Sequence, residues 1–79
     1  MKIRLIAFGI AKEIMSGKQH ELELDVNTIE DLKSKLCHQF PEFIKLNSLA
    51  FAVGEEYREN SYQLKDNDEI VIIPPVAGG

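Results

Sequence analysis

The chain has 79 residues, 44% of them hydrophobic, with 13 acidic and nine basic side chains and a formal net charge of −4. That is the size of one small domain, which buries about 60–65% of its unfolded surface and folds with little margin. No two Lys or Arg residues are adjacent, no segment nears the ~20 apolar residues of a membrane span, and Cys37 is the one cysteine, so nucleic acid, bilayer insertion and an internal disulfide are all disfavoured. With no apolar N-terminal run of signal-peptide length, a cytoplasmic location is expected.

Lys2 to Phe8 alternates, with Ile3, Leu5 and Ala7 on one side and Arg4, Ile6 and Phe8 on the other, which predicts a strand. Gly9 to Lys18 reads as a turn region broken at Ser16 and Gly17. His20 to Val26 alternates again, Leu22, Leu24 and Val26 against Glu21, Glu23 and Asp25, and predicts a half-exposed hairpin partner for the first strand. Asn27 and Thr28 are candidate N-caps, and Asn27 with Glu30 has capping-box spacing. Ile29, Leu32, Leu36 and Phe40 then recur at helical spacing until Pro41 ends the helix near Gln39 or Phe40.

Pro41 to Asn47 reads as a connector, Leu49 to Val53 as a short strand, Gly54 to Glu56 as a turn, and Tyr57 as the opening of another short strand. Lys65-Asp66-Asn67-Asp68 is a tight turn in which Asn67 tolerates positive φ, and Glu69 to Ile73 is the last strand. The order β-β-α-β-(β)-β, with the first and last strands as parallel neighbours, predicts an α+β fold. It is the ubiquitin-like β-grasp, a mixed sheet with one main helix packed across one face. If Ile3, Leu5, Ile70 and Ile72 face that helix, Ile6, Phe8, Val71 and Ile73 face away, and an apolar outer face of this kind is expected to receive a partner.

Residues 1–79 are expected to form a single domain with residues 74–79 as a protruding tail. Pro74 and Pro75 stiffen the exit from the last strand, and Val76-Ala77-Gly78-Gly79 is a thread thin enough to enter a channel that admits no side chain. Its tip is the α-carboxylate of Gly79, ionised at neutral pH. Elsewhere the chemistry is sparse. Cys37 and His38 are adjacent on the helix and so do not face each other, and His20 stands alone. No spacing matches a metal site or a phosphate-binding loop, and Asp66, Asp68 and Glu69 read as a solvated turn.

Over its whole length the chain resembles the MoaD/ThiS-type sulfur carriers. Phe8-Gly9-Ile10-Ala11-Lys12-Glu13 is similar to their Phe-Ala-x-Leu-Arg-Glu stretch, and Leu64 to Ile70 to their Leu-x-Asp-Gly-Asp-Glu-Val turn. Pro74-Pro75-Val76-Ala77-Gly78-Gly79 resembles the Pro-Pro-Val-Ser-Gly-Gly ending of the molybdopterin-synthase branch. Asn67 for the usual glycine, Ala77 for serine, and Ala11 and Lys12 in the first motif are departures.

The resemblance implies a sulfur carrier rather than an enzyme in its own right, serving the molybdenum or tungsten cofactor. An ATP-dependent E1-like activating enzyme adenylates the Gly79 carboxylate, a sulfur donor displaces the adenylate, and Gly79 with Gly78 carries a thiocarboxylate into the large subunit of molybdopterin synthase. The expected assembly is a heterotetramer. No cofactor or metal is expected on the chain itself, and ATP is used by the activating partner. By position, Phe8, Tyr57 and Ile73, with Pro74, Pro75, Val76 and Ala77, are implied to contact the large subunit. The competing readings are a carrier for thiamine, cysteine or tRNA thiolation, a ubiquitin-like modifier joined through Gly79 to lysines, and a plain β-grasp binding module.

Overall fold

The computed structural model describes residues 1–46 and 49–74. In chain order these form β1 (Lys2–Ala7), α1 (Gly9–Met15), β2 (Gln19–Glu23), α2 (Ile29–Gln39), a 3-10 helix (Pro41–Lys45), β3 (Ala50–Val53), β4 (Glu56–Arg58) and β5 (Glu69–Ile73). The five strands make one sheet in the order β2-β1-β5-β3-β4. β1 and β5 run parallel, with Leu5 opposite Ile70 and Ile6 opposite Val71, and every other pair is antiparallel. This is the β-grasp that the element order predicts, and it makes the last strand the central one.

The core lies between one face of the sheet and α2. Ile3, Leu5, Ala7, Phe51, Val53, Ile70 and Ile72 from the strands meet Ile29, Leu32 and Leu36 from the helix, all buried. Strand alternation and a helical stripe thus converge on one apolar layer, each fully buried Ile or Leu contributing roughly 1.5–3 kcal/mol. Cys37 packs half-buried on the flank of this layer and His38 is exposed, so the adjacent pair forms no dyad.

Four expectations shift. Gly9 to Lys18 is not a turn region throughout, because Ala11 and Met15, four residues apart, are both buried and carry a two-turn helix into the core. Ser16, at φ 59, ends it, and Gly17 N–H returns to the Lys12 carbonyl at 3.0 Å, so the predicted breakers act as the helix stop. The second strand is Gln19–Glu23, not His20 to Val26: Leu24 N–H still bonds the Met1 carbonyl at 2.9 Å, but Val26 is buried beyond the ladder. The capping box belongs to Thr28 and Asp31 instead of Asn27 and Glu30. Thr28 Oγ1 accepts Asp31 N–H at 3.2 Å, while Asp31 Oδ2 accepts the N–H groups of Thr28 at 3.3 Å and Asn27 at 3.0 Å. Finally, the connector after Pro41 holds a 3-10 helix whose Phe43 is buried edge-on to Phe40, with centroids 6.1 Å apart.

The turn before β5 follows the prediction. Asn67 has φ 71, and its N–H donates to the Lys2 carbonyl at 2.6 Å. Asp66 Oδ1 accepts Lys2 N–H at 2.7 Å and Asp68 Oδ2 accepts Lys65 N–H at 2.8 Å. The Asp66 side chain therefore ties the turn to β1, while the Asp68 side chain closes the turn on itself, and together they set how β5 enters the sheet.

Candidate functional site

The chain leaves the sheet at Ile73 from its central strand, β5, which is paired on both sides. Pro74 follows, half-buried, beside the start of α1. Gly9 there holds φ 55, and a Cβ built on it would lie 3.5 Å from Pro74 Cγ. The root of the tail is thus a contact between Pro74 and a left-handed glycine, with Phe8 as the α1 N-cap immediately before. Of the candidate tail residues, Pro75, Val76, Ala77, Gly78 and Gly79 lie outside the described residues.

The face of the sheet turned away from α2 is set by register. Ile6 lies opposite Gln19 and Val71, Val71 opposite Ala52, and Ala52 opposite Tyr57, so these five share one row. Ile73 and Ala50 form the next row toward the tail. Phe8 is extended, at φ −124 and ψ 160, and follows the inward Ala7, so alternation turns its ring to the outer side.

Exposure along this face is uneven, which corrects the expectation of four open residues. Phe8 is 44% exposed and Tyr57 71%, Val71 and Ile73 are half-buried, and Ile6 is buried at 8%. Ile6 sits mid-strand between Gln19 and Val71, where neighbours on both sides shade it. The open apolar surface is displaced toward the tail root and the β4 edge.

The charges beside this face are arranged in pairs. Arg4 stands between Glu21 at 3.8 Å and Glu69 at 3.5 Å, at the end of the face away from the tail. Both contacts are solvent-exposed, so they contribute little stability and mainly hold the arginine in place. Arg58, on the other side of β4, donates from Nε to the Val53 carbonyl at 3.0 Å and stacks 4.7 Å from the Tyr62 ring, which fastens the β3–β4 hairpin. Lys18 Nζ lies 5.1 Å from the centroid of the Phe8 ring. Sequence reading did not single out Lys18 or the Gly9–Pro74 contact, since periodicity does not say which loop residue returns beside which strand end.

Among the described residues no group of three or more His, Cys, Asp or Glu side chains stands close enough to hold a metal ion, and His20 Nε2 lies 3.0 Å from the Gly17 carbonyl. Among them, too, no helix is long and apolar enough to cross a membrane.

Residues 5–79 match the ThiS family. The chain belongs to that family. A relative named molybdopterin synthase sulfur carrier subunit, from Dictyostelium discoideum, is 37% identical to it over 84 residues, covering 99% of this chain and 96% of the relative. Among solved structures, the putative molybdopterin converting factor subunit 1 of Pyrococcus furiosus superposes with a TM-score of 0.83 at 21% identity, covering 96% of this chain and 99% of that one. SAMP1 of Haloferax volcanii, a small archaeal modifier protein, superposes with a TM-score of 0.80 at 17% identity, covering all of both chains. At such identities the two structures share the β-grasp fold with this ThiS-family chain, whereas the full-length sequence match carries the family.

Proposed function

We propose that this ThiS-family chain is the sulfur-carrying small subunit of molybdopterin synthase. The observation that carries the proposal is the end-to-end similarity to a relative named as that subunit, joined to a fold in which the central strand leads directly into the tail. In this reading the two consecutive prolines stiffen the exit from the central strand, so the tail is presented from beside the docking face.

In this proposal residues 74–79 protrude from a single domain. A Gly79 carboxylate oxygen attacks ATP on an E1-like activating enzyme, giving the acyl adenylate and pyrophosphate. A sulfur nucleophile displaces AMP and leaves a thiocarboxylate. Docking through Phe8, Tyr57 and Ile73 threads Pro75, Val76, Ala77 and Gly78 into the large subunit, where the Gly79 sulfur passes to a pterin precursor and water restores the carboxylate. The chain holds the reacting atom in place and the partner enzymes supply the acids and bases, so proximity is its contribution. The cofactor product and the heterotetrameric assembly belong to the same proposal, as does a cytoplasmic location.

The test is intact-mass spectrometry of the chain after reaction with its activating enzyme, ATP and a sulfur donor, followed by a synthase assay. Exchange of one oxygen for sulfur at Gly79, and loss of sulfur transfer on deleting Gly79 with unfolding unchanged, are expected. Full transfer without Gly79 would sink the carrier reading. Isopeptide adducts on cellular lysines, with no thiocarboxylate, would instead identify a modifier.

A further inference from the structure

Lys18 is the cation beside the open part of the docking face. Its backbone is fixed, because Ala7 N–H donates to the Lys18 carbonyl at 2.7 Å, one step beyond the last β1–β2 pair, Ile6 with Gln19. The ammonium lies 5.1 Å from the Phe8 centroid, within cation–π range of a ring that is 44% exposed. Arg4, also on this face, is engaged by Glu21 and Glu69. Among the described residues no carboxylate stands within ion-pair distance of Lys18.

We propose that Lys18 determines partner specificity at this face: when Phe8 is buried in the large subunit of molybdopterin synthase, a carboxylate of that subunit meets the Lys18 ammonium. The inference rests on the carrier reading above. The Lys18 ammonium lies over the Phe8 ring, so a surface that closes on Phe8 also takes the ammonium from water. A dry, unpaired ammonium costs more than a cation–π contact returns, so a partner without an acid at this point binds poorly.

The face is also polarised. Glu21 and Glu69 flank Arg4 at the end away from the tail, and the acids of the 65–68 turn lie beyond them. Lys18 stands at the other end, beside Phe8, which directly precedes the Gly9 that lies near Pro74. A complementary partner places acid near the tail entrance and base at the far end, an arrangement that fixes orientation and speeds encounter.

The experiment is calorimetric titration of the full chain with the large subunit at low and high salt, for the parent, Lys18→Met and Lys18→Glu, with circular dichroism on each. Methionine keeps the apolar reach over the ring and removes the charge. Binding on the order of tenfold weaker, with a flatter salt dependence, is expected for Lys18→Met, and a larger loss for Lys18→Glu. Unchanged affinity for Lys18→Met, or a loss with the parent's salt dependence, overturns the inference and leaves the carrier reading standing. A parent chain that does not bind the large subunit overturns the carrier reading itself, and the inference falls with it.

Discussion

Gly9 and Pro74 meet at the root of the tail, where a Cβ on Gly9 would lie 3.5 Å from Pro74 Cγ. One residue opens the first helix and the other follows the last strand, so the parallel pairing of β1 and β5 is what brings them together. Gly9 holds φ 55, a conformation that costs an L side chain roughly 1–2 kcal/mol.

That contact makes a prediction for Gly9→Ala. The added Cβ finds ordinary van der Waals space against Pro74, so the cost comes from the backbone. A loss of about 1 kcal/mol is expected, or roughly 4–8 °C in Tm for a domain of this size. Gly9→Asn is expected to lose less, because Asn tolerates the left-handed region. Thermal unfolding of the three proteins side by side checks this. An alanine variant as stable as the parent would show that φ at Gly9 is not held.

The fold was legible wherever a period survived over several residues. Alternation in Lys2 to Phe8 and the stripe Ile29, Leu32, Leu36 place β1 and α2 within a residue or so of their observed ends. The first helix was missed because it is only seven residues long, too short for a stripe. Its one internal signal, Ala11 with Met15, is a single pair. The 3-10 helix was hidden for a similar reason, since Phe43 alone reports its burial. The outer face was half legible: alternation assigns Ile6 to it correctly, but exposure depends on which strands lie alongside, and those neighbours come from remote parts of the chain. The candidate site follows the same division. Its residues are readable one at a time as motif and face, while Lys18 over Phe8 and Gly9 against Pro74 are products of topology.

Thr28→Ala removes the hydroxyl that accepts Asp31 N–H and leaves one first-turn donor of α2 without its partner. Losing a cap of this kind costs about 1 kcal/mol. Because α2 supplies Ile29, Leu32 and Leu36 to the core, the loss is expected in global unfolding and not only as fraying. Denaturant titration is the measurement, with the midpoint lowered and the slope unchanged. Asn27→Ala, whose side chain takes no part in the box, is expected to be near neutral, and the opposite ranking would place the cap one residue earlier.

Phe8→Asp is expected to leave the domain folded and to weaken docking on the large subunit by roughly 2 kcal/mol or more, the scale of an interface hot spot. The ring is 44% exposed in the free chain and helps cover no part of the core between the sheet and α2. An aspartate also meets Lys18 in the free chain, which holds the new charge at the surface. Circular dichroism and calorimetric binding on the same sample separate the two effects. An unfolded variant would mean that the outer side of β1 contributes to the core after all.

Cys37→Ser tests where the sulfur travels. A thiol on a sulfur carrier invites a persulfide route, yet Cys37 packs half-buried on the flank of α2 beside the core. Its neighbour His38 points about 100° away around the helix and cannot serve as its base. The tail, by contrast, leaves from the end of β5 beside Gly9, on different elements from α2. Replacing sulfur by a hydroxyl puts a more polar group against apolar neighbours, so a loss of roughly 1 kcal/mol in stability is expected. Sulfur transfer per folded molecule is expected to stay at the parent level. A Cys37→Ser chain that folds, takes up a thiocarboxylate at Gly79 and still fails to donate sulfur would require Cys37 in the path.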